Sequence, residues 1–137
     1  MSTGWIEVST EDTSSHLVVR IHGELDLATA PVVRTALDDA VRAAGGRHVV
    51  LDLTGLAFLG SPGLGLLVGA WGRHTGGGAP FTVVAPSGGA PRRVLEITGL
   101  TGSISVVEVM SEAVDAEDRT GAPGEPGGWD GRTTTGG

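Results

Sequence analysis

The feature that most constrains this chain is a repeated change of apolar period, each change falling at Gly, Pro, Asp or Ser. Trp5 to Ser9 and His16 to His22 alternate and read as two strands joined by a polar turn over Glu11 to Ser15. In the second strand Leu17, Val19 and Ile21 share one face, and His16, Val18, Arg20 and His22 the other. Asp26 to Pro31 then reads as a helix entry, with Thr29 as a capping hydroxyl and Pro31 in the first turn. Val33, Ala36, Leu37, Ala40, Val41 and Ala44 follow at helical spacing and stop at Gly45-Gly46. His48 to Leu53 is a short apolar run of the kind buried in a parallel strand. Beyond Gly60-Ser61-Pro62-Gly63, residues Leu64, Leu67, Val68 and Trp71 form a second helical stripe, broken at Gly76-Gly77-Gly78. Phe81 to Ala85 reads as a strand, Ala90 to Thr98 as a helix, Ser103 to Val107 as a strand, and Ser111 to Asp115 as the start of a last short helix.

Helices between successive strands demand parallel pairing with right-handed crossovers, whereas the opening hairpin is antiparallel. The expected fold is therefore α/β, a mixed sheet of about five strands packed with about four helices. With 137 residues the chain is one domain in size. Residues 116 to 137 contain 7 Gly and 2 Pro, with Trp129 the only large apolar side chain, so a disordered tail is expected there and a domain over 1 to 115.

The chain has no Lys, and residues 1 to 115 carry 7 Arg against 12 acids, a net charge of −5 that opposes binding along nucleic acid. Without Cys there is no disulfide, thiolate metal site or cysteine nucleophile. Met1 is followed by Ser2, Thr3 and Gly4 with neither a basic nor an apolar region, so no export signal and no membrane span are expected, consistent with a cytoplasmic protein.

Candidate chemistry is sparse. His16, His22, His48 and His74 have no metal-ligand spacing, His16 and His22 being about 20 Å apart at ~3.3 Å per strand residue. All four are read as solvent-face residues. Gly55 to Ser61 has the glycine spacing of a phosphate loop but Gly60 where Lys is needed, and Gly60-Ser61-Pro62-Gly63-Leu64-Gly65 reverses the glycine gaps of a dinucleotide fingerprint. Arg92-Arg93 reads as a solvated helix start. No catalytic residue, metal or cofactor is expected.

Three motifs carry a family resemblance: Gly23-Glu24-Leu25-Asp26-Leu27-Ala28-Thr29-Ala30; Val50-Leu51-Asp52-Leu53 leading to Leu59-Gly60-Ser61-Pro62-Gly63-Leu64-Gly65-Leu66-Leu67; and Val94-Leu95-Glu96-Ile97-Thr98-Gly99-Leu100. In this order and spacing they resemble a STAS domain, more narrowly that of bacterial anti-sigma factor antagonists, over about residues 6 to 115. The resemblance implies a non-enzymatic protein, a monomer or weak dimer, that binds a histidine-kinase-like anti-sigma factor of serine-kinase type and frees its sigma factor. It also implies that the kinase silences the antagonist by phosphorylating a serine at the start of the helix that here begins near Ser61. A phosphoryl group adds about −1.5 to −2 charge, tolerated at a helix N-terminus but repelled by an apposed surface.

The loop departs from the family's Asp-Ser-Ser/Thr-Gly: Gly60 replaces the acid, and Pro62, which has no hydroxyl, occupies the acceptor position. Ser61 aligns with the neighbouring, normally unphosphorylated serine. Ser at the N-cap followed by Pro at N1 is a favourable helix start, so capping is the preferred reading of Ser61 and phosphorylation its alternative. The implied partner surface comprises Asp26, Thr29, Gly60, Ser61, Pro62, Gly63 and Leu64. Asp26 and Thr29 could equally satisfy amides of the next helix. Gly63 is read as permitting close approach of the partner, so that a bulky replacement there would weaken binding and leave the fold intact. Other readings are a STAS regulatory or scaffold subunit of a stress-sensing assembly or lipid transporter, and an α/β enzyme or small-ligand receptor.

Overall fold

The computed structural model describes residues 5 to 113. Strands β1 (Ile6–Asp12) and β2 (His16–Leu25) form the hairpin, followed by α1 (Ala30–Ala44), β3 (His48–Asp52), β4 (Leu56–Leu59), α2 (Ser61–Gly76), β5 (Phe81–Val84), α3 (Ala90–Ile97) and β6 (Ser105–Val107). A 3-10 turn spans Leu100–Gly102, and a fourth helical segment begins at 110 and reaches 113 at the edge of the described residues. The expected tail over 116 to 137 lies outside them.

The sheet runs β1-β2-β3-β5-β6, with β1–β2 antiparallel and all other pairs parallel. It has six strands where about five were expected: β4, not among the expected strands, pairs with the end of β2. β2 is long enough for two partners. Its residues 16 to 20 pair with β3, and Gly23, Glu24 and Leu25 pair with Leu56, Phe58 and Leu59, after an irregularity between Gly23 and Glu24. Gly23 absorbs this break at φ 116°, a conformation open to glycine, with Trp5 packed against its Cα. β4 escapes sequence reading because four residues, Leu-Ala-Phe-Leu, buried only at their ends, show no period.

The main core lies between the sheet and the helices. Leu17, Val19, Ile21 and Leu25 of β2 meet Val33, Leu37 and Ala40 of α1, Leu67 and Ala70 of α2, and Leu95 of α3. Burying each such Leu or Ile contributes about 1.5–3 kcal/mol. α1 ends as its glycines require, Gly45 and Gly46 taking φ of 59° and 94°.

The opposite sheet face is covered too. Val18, Val50 and Val84 form a second cluster with Ala113, joined by Val107 and Met110. Two histidines accordingly depart from the solvent-face reading. His48 is 3% exposed, its Nε2 2.8 Å from Thr82 Oγ1, while its Nδ1 has no hydrogen-bond partner. His74 lies on the inner side of α2, 4% exposed, with Nε2 2.7 Å from the Arg47 carbonyl and its ring edge-on to Phe81. Burial, reinforced by the nearby His16 and His74, lowers the His48 pKa to about 4.

Candidate functional site

Leu25 and Leu59, the last residues of β2 and β4, are paired neighbours in parallel strands, so the segments following them emerge side by side. The Gly60 N–H donates to the Leu25 carbonyl at 2.9 Å and ties the two exits together. This brings the 26–29 loop beside the start of α2 at the carboxyl ends of the strands, where open α/β sheets commonly place binding surfaces.

Local hydrogen bonding shapes the first loop. The Thr29 hydroxyl donates to the Glu24 carbonyl at 2.7 Å and accepts the Asp26 N–H at 3.0 Å, while the Asp26 carboxylate accepts the Thr29 N–H at 3.1 Å. Thr29 precedes α1 but does not cap it, because its hydroxyl turns back into the loop. At 2% exposure it supports the loop from beneath. Asp26 is half-buried, and between them Leu27 projects outward, 77% exposed.

At α2 the helix start is displaced by one residue from expectation. Gly60, extended at φ −92° and ψ 174°, is the N-cap, and Ser61 and Pro62 are the first two helical residues. With Gly60 as the N-cap, Ser61 stands inside the helix, one residue past the capping position expected for it. Pro62 costs nothing there, since amides of the first turn lack helical acceptors anyway. Ser61 and Pro62 are exposed, while Gly60 and Leu64 are half-buried.

Gly63 faces inward. A Cβ there would lie 2.3 Å from Leu25 Cγ and 3.1 Å from Leu59 Cδ1, so its missing side chain makes room for the domain's own core, not for a partner. The expectation that a bulky replacement leaves the fold intact is thus corrected.

One surface residue escaped the sequence reading. Phe58, 50% exposed on β4, lays its ring edge 3.2 Å from where a Gly60 Cβ would stand, so it borders the start of α2. An aromatic at an odd position in an apolar tetrad is signal only once the tetrad is recognised as a strand. Large exposed apolar side chains around a polar, helix-initiating loop suit protein contact better than chemistry. Among the described residues no three His, Asp or Glu side chains converge as a metal site, and no helix is long and apolar enough to cross a membrane.

The model of the STAS domain family matches residues 7–115. An anti-sigma F factor antagonist of Paenibacillus polymyxa is 33% identical over 97 residues, covering 69% of this chain and 80% of that protein. The anti-sigma-F factor antagonist RsfB of Mycobacterium tuberculosis is 33% identical over 109 residues, covering 80% and 87%. The crystal structure of an anti-sigma factor antagonist from Mycobacterium paratuberculosis superposes with a TM-score of 0.76 at 32% identity, over 85% of this chain and 97% of that one.

Proposed function

The chain belongs to the STAS-domain family and to the anti-sigma factor antagonists within it, and from that premise we propose that it binds a histidine-kinase-like, serine-kinase-type anti-sigma factor and releases the sigma factor that partner holds. The observation that carries the reading is the presence of two exposed apolar side chains, Leu27 in the loop after β2 and Phe58 against Gly60, at the strand ends that also lead to the exposed Ser61 and Pro62. Aromatic and aliphatic anchors in the middle of a contact supply most of its binding energy, and the neighbouring polar groups set its register. The function is regulatory, without catalysis, cofactor or nucleic-acid contact, and it implies a cytoplasmic protein acting as a monomer or weak dimer.

Leu27→Asp and Phe58→Ala are each expected to weaken the complex with a kinase-type anti-sigma factor about tenfold or more, a loss of roughly 1.4 kcal/mol or above. Both side chains are largely exposed, so circular dichroism and Tm should change little. Calorimetry against the purified anti-sigma factors encoded in the same genome measures this. If none binds the unmodified chain at micromolar concentration, the reading fails.

Pro62 supports a further element, an antagonist that escapes the phosphorylation switch because the family's acceptor position lacks a hydroxyl. Ser61 remains exposed beside it, one residue past the cap, so the reading rests on position, not on a sequestered hydroxyl. Incubation with the kinase and ATP is expected to leave the natural chain's intact mass unchanged and to add one phosphate to Pro62→Ser. Adding Gly60→Asp rebuilds the acid, its Cβ requiring only that the Phe58 ring edge turn aside. A phosphate mapped to Ser61 of the natural chain, with loss of partner binding, would mean that the switch has moved by one residue.

A further inference from the structure

A polar cleft of about 340 Å³ separates α1 from α2 and opens beside Pro62, at the edge of the candidate surface. Gly65 and Gly69, one turn apart, form its α2 wall, and Arg34, Asp38 and Arg73 stand around it. The fold does not impose glycine at 65, since a Cβ there would meet nothing within 4 Å. Glycine inside a helix is unfavourable relative to alanine, so the open wall is kept against local propensity.

The charges in the cleft are unbalanced. Arg20, Arg42, Arg47, Arg73 and Arg92 each pair with a carboxylate; among the described residues Arg34 and Arg93 have no ion pair, and of the cleft's three charged side chains Arg34 alone lacks one. Asp38, one helical turn along and the natural i,i+4 partner of Arg34, is held instead by Arg73 across the cleft at 2.7 Å. That pair neutralises itself and leaves one exposed guanidinium beside an empty wall.

We infer that this cleft receives an Asp or Glu side chain of the anti-sigma factor, gripped by Arg34, while Leu27 and Phe58 supply the apolar part of the contact. The inference rests on the proposed function and adds the chemistry of the partner. The planar guanidinium fork suits a carboxylate, which can accept two parallel N–H bonds, and the continuity with Pro62 makes the donor a segment of the same partner.

The test is calorimetric titration of a purified kinase-type anti-sigma factor from the same genome at low and high salt. Arg34→Glu is expected to lower affinity about tenfold or more, and Arg34→Ala less, with a flatter salt dependence than the natural chain. Arg34→Lys should retain part of the affinity. Gly65→Leu should weaken binding by filling the cleft while keeping or raising Tm, which separates occlusion from misfolding. Unchanged affinity for Arg34→Glu and Gly65→Leu overturns the inference and leaves the antagonist reading standing, whereas failure of the natural chain to bind any such factor overturns both. Inorganic phosphate bound by the natural chain and lost in Arg34→Glu, with partner affinity unchanged, also overturns it, making the cleft a small-anion site.

Discussion

Gly63→Ala is expected to destabilise the domain by about 2 kcal/mol, lowering Tm by roughly 10 °C, although alanine is the better helix former. The added Cβ would stand 2.3 Å from Leu25 Cγ and 2.8 Å from Leu25 Cδ2, and Leu25 is fully buried at the end of β2. Larger residues should prevent folding outright. Leu25→Ala in the same chain removes the colliding atoms, so the double variant should be more stable than the two single losses summed, by about 1 kcal/mol. Urea unfolding of the three variants measures that coupling, and an unchanged Tm for Gly63→Ala would sink the prediction. The consequence for function is direct. Lost partner binding in a Gly63 variant reports a damaged fold, so Leu27 and Phe58 are the proper probes of the surface.

Acidification should weaken the fold through His48 before the carboxylates titrate. Burial, with His16 and His74 nearby, holds its folded pKa at about 4, against about 6.5 in an unfolded chain, because a charged imidazole would be desolvated with Nδ1 unpartnered. The unfolded chain therefore binds more protons between these values. The stabilising contribution is complete above pH 6.5 and is lost as pH falls toward 4, about 3 kcal/mol in all. Around pH 5 to 6 the unfolding free energy should decline by about 1 kcal/mol per pH unit from this residue alone. His48→Gln, which keeps an amide within reach of Thr82, should lower stability at pH 7.5 and flatten this slope. Equal slopes in the natural chain and the variant would place the acid sensitivity elsewhere.

The family motifs around Leu25–Thr29 and Leu59–Leu67 were readable because they are runs of adjacent residues, but which of those residues face outward was not. Thr29 and Gly63 look like surface residues in a linear motif, and the hydrogen bonds to Glu24 and Asp26 and the packing on Leu25 turn both inward. Ser61-Pro62 reads as cap and first residue, yet the strand pairing that delivers Gly60 to the Leu25 carbonyl moves the cap back by one. Phe58 and Arg34 acquire meaning only from neighbours brought by other elements.

By itself the sequence determined α1, with its apolar stripe and terminal Gly45-Gly46, the alternating hairpin, and the parallel order of strands joined by helices. Those features follow from side-chain period and backbone punctuation, which act over a few residues. Only the tertiary structure decided that β4 completes the sheet, that His48 and His74 are buried, and that Gly63 belongs to the core. Each depends on a partner far along the chain: β2 for β4, Thr82 for His48, Arg47 for His74, Leu25 for Gly63. Close packing and strand pairing reward such contacts only after the intervening chain has folded, so no local pattern announces them.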